Sequence, residues 1–485
     1  MSTSGARYDA VVVGAGPNGL TAAARLSRAG WRVLVVEAAS TIGGGSRTKV
    51  LGPVARYDVC AAVHPFGASS PAFEALHLDE HGLSWGHPPL ALAHPFDDGD
   101  AATLDRVTAN GQHDPASARA SNPDGVDQRR WHAAVSTLAS DWERVRHLVL
   151  GPVPVSLRRH PLQMARFGVL AGLPSNWLAR GFSGREAPAL LSGLAAHAGV
   201  SLGQPTTAGV GLALAAATEA VGMPVAMGGS QSIVDALASV VRAGGGEIAT
   251  DRTVRSIGEL PTARAVLLDL TPGQAAALVG RPARPWRHGV AATKLDLVLS
   301  GPMPWTASAC RVAGTVHLGG QWRDVAAAER ATSKGGLPDR PFVIVAQPTL
   351  ADPGRAPAGQ HVVWAYRHVP NGCDAPEAIA GIERQFDRFA PGWRDLVLHR
   401  RDTTASDHER YNPCYVGGDI AGGALTPWQT IARPRLALDP YRFGRDGVWL
   451  CSQSTAPGPG VHGMCGWHAA GSVLAHDRRP GRTPR

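Results

Sequence analysis

At 485 residues the chain is too long for one ordinary domain, and two or three are expected. An apolar fraction of 44% against 18% charged residues excludes a disordered chain and supports a sizeable core. The 47 lysines and arginines exceed the 39 acids, but only three are lysines and the arginines are spread among acids. That pattern is a mixed surface, and no nucleic-acid partner is expected.

The first informative element is Tyr8 to Leu26. A short β-branched run, Val11-Val12-Val13, meets Gly14, and a helical pattern follows. Gly14, Gly16 and Gly19 make the G-x-G-x-x-G spacing of a dinucleotide turn. Gly14 would allow the tight turn, Gly16 a close backbone approach to pyrophosphate, and Gly19 close packing of helix on strand. The helix start, with Pro17 and Asn18, would then offer amides and a positive dipole end to the phosphates. Gly30 ends the helix, Trp31 to Val36 is the second strand, and Glu37 follows it, 23 residues after Gly14. A carboxylate there suits both hydroxyls of an adenosine ribose and would repel a 2′-phosphate. Gly458 to Gly463 repeats the glycine spacing but has no acid about twenty residues on.

Beyond Glu37 runs Ala38-Ala39-Ser40-Thr41-Ile42-Gly43-Gly44-Gly45-Ser46-Arg47-Thr48. With its glycines the chain resembles the FAD-containing amine oxidase and phytoene dehydrogenase superfamily, whose members carry G-x-G-x-x-G, then Glu, then GG-x-x-x-T. That superfamily often has a basic residue where Gly45 stands, so Arg47 either reaches the phosphates instead or faces solvent. The likeness extends to Met227–Leu237, Gly244–Ile248 and Thr253–Ile257, and it implies that the backbone of Val254 meets the adenine. Ala265–Pro272 resembles the family's strand returning to the nucleotide, and Gly460, Val461, His462, Gly463 and Met464 resemble the start of its last helix, which points at the flavin. A positive helix end there would stabilise an anionic reduced flavin. Segments similar to the phytoene desaturase-like proteins labelled pyridine nucleotide-disulphide oxidoreductase domain proteins run along the whole chain, among them Leu190–His197, Pro370–Gly372, Gly417–Ile420 and Pro457–Met464.

The resemblance implies FAD and an α/β fold. A Rossmann-type FAD-binding domain with a glutathione-reductase-like βαβ unit would carry an inserted α+β substrate domain of antiparallel sheet and helical cap. The expected nucleotide segments are 1–68, 222–295 and 442–485, with inserts at 69–221 (helical) and 296–441 (sheet). Helical patterns are read at Trp131–Leu150, Pro161–Leu173, Arg185–Gly199 and Thr206–Val221. Strands are read at Leu295–Leu299, Phe342–Ala346 and His361–Tyr366, and a polar loop at Thr108–Asp127. The candidate cofactor contacts are Gly14, Gly16, Pro17, Asn18, Gly19, Glu37, Ala38, Gly44, Gly45, Ser46, Arg47, Thr48, Val254, Pro272, Gly460, Val461, His462, Gly463 and Met464.

For catalysis three residues are singled out. His64 lies where the family's chain returns toward the ring, and His462 sits in the loop before the last helix. Lys294 stands at a domain crossing, and some flavin oxidases use a lysine–water pair. For each histidine the alternative is a ring hydrogen-bonded to backbone. Trp364, Tyr366, Asn412 and Tyr415 fall on elements that face the substrate pocket in relatives, with plain core as the alternative. Asp97, Asp98 and Asp100 read as a solvated acidic loop.

The six cysteines form no CxxC pair, the nearest two being 14 residues apart, which argues against a zinc site or dithiol relay. Scattered thiols suit a reducing compartment, so a cytoplasmic protein is expected. No run of eighteen apolar residues occurs, and the polar Met1–Arg7 does not read as a secretory leader. The expected chemistry is hydride transfer between a small apolar or lipid-like substrate and flavin N5, with peripheral membrane contact left open. A flavin-dependent isomerase or saturase of a polyene-like substrate and a non-catalytic FAD scaffold are the alternatives.

Overall fold

The computed structural model describes residues 8–106, 125–159 and 167–478. Most of the expected loop at Thr108–Asp127 and residues 161–166 of the helix expected at Pro161–Leu173 lie outside the described residues; the rest of that segment is helical over 167–171. Two large sheets are built from β1 (Ala10–Val13), β2 (Val33–Val36), β3 (Leu90–Pro95), β4 (Ala101–Leu104), β5 (Glu247–Ala249), β6 (Ala265–Leu268), β7 (Ala291–Leu299), β8 (Ala313–Leu318), β9 (Val343–Ala346), β10 (His361–Val369), β11 (Val397–Thr403) and β12 (Val448–Leu450). The main helices are α1 (Pro17–Arg28), α2 (Glu186–Ala196), α3 (Thr207–Val221), α4 (Gln231–Ala243), α5 (Trp322–Ser333), α6 (Glu377–Phe389) and α7 (Met464–Asp477).

The first sheet is parallel, in the order β12-β6-β1-β2-β5. Its chain returns from β5, at one edge, to β6 on the far side of β1, so the strand order switches direction between β1 and β6. The strands read as continuous apolar runs because both faces are covered. Ala10, Val12, Val33, Val35, Ala265 and Leu267 pack toward α1, α4 and α7. The residues between them, Val11, Val13, Leu34, Val36, Val266 and Leu268, pack on the opposite side with Ala275 and Leu278. Helix α1 leads with Pro17 at its first turn, and Gly30 (φ +80°) takes the chain into β2.

The second sheet runs β11-β7-β10-β9-β8-β3-β4. It is antiparallel, as expected, except where β8 pairs parallel with β3. The stretch 69–221, expected to be helical, supplies β3 and β4. Their turn is Asp97-Asp98-Gly99-Asp100, with Gly99 at φ +86° and the Phe96 amide donating to the Asp100 carbonyl at 2.8 Å. These acids are not simply solvated: Asp97 pairs with Arg388, and Asp98 and Asp100 pair with Arg185. The expected boundary at 295 falls inside β7, which pairs with β10 from Ala291 to Leu299.

One face of this sheet packs Leu295, Leu297, Val343, Val345 and Val363 on Phe386 and Phe389 of α6. The other face carries Ala292, Ile344, Ala346, Trp364 and Tyr366, and α2 lies over it through Ala195 and Ala196. Helices α2 and α3 are apolar all round, which suits elements buried as a cap. No helix among the described residues is long and apolar enough to cross a membrane.

Candidate functional site

A ligand of an open parallel sheet binds outside the carboxyl ends of its strands, where the strand order switches. Here that point lies between β1 and β6, and a cavity of about 990 Å³ opens on it. Gly14 leaves β1 at φ +100°, a backbone open only to glycine, and its amide donates to the Val36 carbonyl at 2.8 Å. Gly16 has an ordinary extended backbone (φ −75°, ψ 174°), so space, not strain, decides its identity. A Cβ there would stand 2.7 Å from Asp269 Oδ2.

Glu37 closes β2 beside this turn. Its Oε2 accepts from the Ala15 amide at 2.8 Å, and its Oε1 accepts from the Ala39 amide at 2.9 Å. The second glycine run folds onto the first: a Cβ on Gly44 would lie 3.1 Å from Gly16 Cα. Arg47 neither points to solvent nor stands apart from this loop. Its buried guanidinium donates to the carbonyls of Thr41 (2.5 Å) and Ile42 (3.2 Å), and it lies 3.6 Å from Glu37. Gly45 is explained by Tyr415, whose hydroxyl fills the place a side chain at 45 would need.

Asp269, at the end of β6, was not anticipated. Its Oδ2 accepts from the Gly19 amide at 2.9 Å, so one amide of the helix start is occupied by a carboxyl group of the chain itself. Burial pushes its pKa up to about 7; the Gly19 amide opposes this and the Glu37 charge adds to it.

Of the proposed cofactor contacts, Gly14, Gly16, Pro17, Asn18, Glu37, Ala38, Gly44, Gly45, Ser46, Arg47, Val254, Gly460, Val461 and His462 line the cavity. Gly19, Thr48, Pro272, Gly463 and Met464 stand behind its wall. Gly19 packs on the Gly14 carbonyl, Thr48 donates to Asp58 at 2.6 Å, and Pro272 opens the helix Pro272–Leu278. Trp364, Tyr366, Asn412 and Tyr415 all line the cavity, as do Cys60, Tyr411, His197 and His368, which the sequence did not single out.

The three proposed catalytic residues fare differently. Lys294 does not line the cavity. Its ammonium donates to the Asp58 carbonyl at 2.8 Å and to both Asp296 oxygens at 2.5 Å. It is committed to an ion pair there, so the structure does not bring it to the reaction space. His64 lines the cavity, and burial lowers its pKa to about 4, so the ring is neutral. Its Nε2 lies 2.7 Å from Ser230 Oγ, while that hydroxyl donates to the Ala61 carbonyl at 2.6 Å. With its one proton spent, Ser230 can only accept from His64, which puts the imidazole proton on Nε2 and the lone pair on Nδ1.

His462 is also neutral, burial lowering its pKa to about 4. Its Nδ1 accepts from the Met464 amide at 3.0 Å, capping the first turn of α7. The ring is thus occupied in holding the loop. His462→Ala is expected to cost about 1 kcal/mol of stability through the lost cap. Urea denaturation checks this, and unchanged stability would contradict the capping role.

The NAD(P)-binding Rossmann-like domain family matches residues 12–77. Over 96% of its length the chain is 27% identical to rat (Rattus norvegicus) pyridine nucleotide-disulfide oxidoreductase domain-containing protein 2, covering 93% of that protein. A shorter segment of 96 residues, 20% of this chain and 17% of the relative, is 38% identical to one chain of the limonene dehydrogenase of Castellaniella defragrans. Among solved structures, cyclohexylamine oxidase from Brevibacterium oxydans superimposes with a TM-score of 0.60 at 15% identity, over 97% of this chain and 100% of that one. The chain is therefore a mixed α/β protein with an NAD(P)-binding Rossmann-like core, homologous to the pyridine nucleotide-disulfide oxidoreductase domain-containing proteins and sharing the fold of an amine oxidase.

Proposed function

We propose that this chain is a cytoplasmic, FAD-dependent oxidoreductase of phytoene dehydrogenase-like type, moving hydride between a largely apolar, lipid-like substrate and the flavin. The observation that carries this reading is the continuous cavity of about 990 Å³, which joins the glycine turns and Glu37 to an apolar cap wall of Leu148, Leu150, Phe167, Val210 and Leu214. The partial likeness to a protein named for dehydrogenating limonene, a hydrocarbon, supports the substrate class.

The residues present fit such a cofactor. Gly16 and Gly44, without side chains, leave backbone open to a pyrophosphate, and Glu37 keeps carboxylate lone pairs for ribose hydroxyls. When bound, a flavin supplies a hydride acceptor and donor at N5. The chain's share is positioning and exclusion of water. Arg47 and Tyr411, whose hydroxyl donates to the Gly44 carbonyl at 2.6 Å, hold the second glycine turn in place. Trp364, Tyr366 and Tyr415 wall the reaction space against solvent. His64 is the neutral imidazole of that wall, with Nδ1 as an acceptor.

Asp269 makes cofactor retention depend on pH. It is uncharged below about 7 and negative above, beside the place where phosphates would lie. Retention of FAD on dialysis is expected to be several-fold greater at about pH 6 than at about pH 8.5, with Asp269→Asn flattening the difference. Equal retention by the unaltered protein at both would contradict this role. By the same sign, a raised carboxyl pKa means the cofactor-free chain loses stability as pH climbs from the ordinary carboxylate range to about 7.

Anaerobic mixing of the yellow holoprotein with a panel of terpene hydrocarbons, apolar alcohols, amines and hydroxy acids tests the function. Bleaching of the flavin band by apolar members supports it. Bleaching confined to the amines and hydroxy acids, or by none, would overturn the substrate class.

A further inference from the structure

The sheet wall of the cavity carries a polar group that the reading above leaves without a task. Along β10, Trp364, Tyr366 and His368 face the same side, as alternate residues of a strand must, and all three line the cavity. The rings pack edge to face, 5.0 Å between Trp364 and Tyr366 and 5.6 Å between Tyr366 and His368.

His368 ends this ladder and is 7% exposed. Behind it, Nδ1 lies 2.9 Å from Oε2 of Glu329, a residue of α5 that is 2% exposed. Nδ1 faces this carboxyl oxygen, so a ring carrying one proton holds it on Nδ1, between the two groups, and keeps the lone pair on Nε2. Among the described residues Nε2 has no hydrogen-bond partner. It points toward Gly199, just past the end of α2, where a Cβ would stand 3.8 Å away. Gly199 is held at φ +59°, and with Ala198, Val290 and Ile420 it forms an apolar stretch of the cavity wall beside this acceptor. The neighbouring imidazole, His197, already uses its Nε2 on His317 Nε2 at 3.2 Å.

We propose that His368 Nε2 accepts a hydrogen bond from a hydroxyl group on an otherwise apolar substrate, so that this cavity selects apolar alcohols over the corresponding ethers and aldehydes. The inference rests on the apolar-substrate reading and specifies its polar contact. His368 is the group that touches substrate. Glu329 is a positioning residue: by taking the Nδ1 proton it keeps the lone pair on the cavity side. A buried acceptor offered only an ether or a carbonyl oxygen stays unpaired, which is why the group discriminates.

Calorimetric titration of the holoprotein at about pH 8 with 1-decanol, methyl decyl ether and decanal tests this. The alcohol is expected to bind about tenfold more tightly than either of the others, the value of one hydrogen bond to a buried acceptor. His368→Phe keeps an aromatic ring and should bring the alcohol down to the ether's affinity while leaving the ether within about twofold. Glu329→Gln can either accept from or donate to Nδ1, so the tautomer is no longer fixed and the preference for the alcohol should shrink. Equal binding of the three probes by the unaltered protein, or a tenfold preference surviving in His368→Phe, would overturn the proposal and leave the apolar cavity standing. Binding of none of the three would overturn the apolar-substrate reading and the proposal with it. Should His368→Phe fail to fold, the comparison of probes on the unaltered protein still decides.

Discussion

Gly16→Val is expected to purify colourless, with bound flavin reduced at least about tenfold. Its backbone, at φ −75° and ψ 174°, is one that valine adopts readily, so the substitution imposes no strain on the turn. What it adds is bulk at the switch point. The Cβ would stand 2.7 Å from Asp269 Oδ2, and the opposing turn already brings Gly44 to the edge of contact with Gly16. The two branched methyls must then project into the cavity, where a pyrophosphate would approach the backbone. Gly14 is the contrasting case: at φ +100° any side chain strains the backbone itself, and its substitution is expected to lower stability as well as occupancy. Absorbance of the purified Gly16→Val protein checks the prediction, and a fully yellow preparation would contradict it.

Glu37→Arg carries the other large effect. The carboxylate accepts from the Ala15 and Ala39 amides and sits 3.6 Å from Arg47. Arginine in its place has no acceptor for those amides or for ribose hydroxyls, and it sets two guanidinium groups against each other. Losing two hydrogen bonds to a charged group corresponds to about 3 kcal/mol or more, a weakening of FAD binding of about a hundredfold. Flavin retained per chain after dialysis measures it. Unchanged occupancy would remove Glu37 from the ribose.

Much of the nucleotide end was legible because its signals are local. A β-branched run, three spaced glycines, a helix and an acid after the next strand all fall within a short stretch, and the structure places β1, α1 and β2 there. What the sequence concealed depends on partners far along the chain. Asp269 meets Gly19 across 250 positions, and nothing near Leu268 announces a carboxyl group inserted under the glycine turn. Lys294 looked distinctive for its rarity, but rarity does not locate a side chain, and Asp296 two residues away on the same strand face claims it. The β3–β4 hairpin was hidden because the acidic turn Asp97–Asp100 reads as a solvated loop until Arg185 and Arg388 are brought against it by the fold. His368 and Glu329 are paired only when α5 packs beside β10. A usable signal for His368 was present in the alternation Trp364, Tyr366, His368, whose first two members were already assigned to the pocket.

An adenine dinucleotide bearing a flavin is proposed to lie across the switch between β1 and β6. Heating the purified protein and recording absorption and fluorescence of the supernatant tests that directly. The prediction is an isoalloxazine spectrum amounting to about one FAD per chain, or its recovery after incubation with added FAD. A supernatant without flavin, from a protein that also fails to retain added FAD on gel filtration, would contradict it.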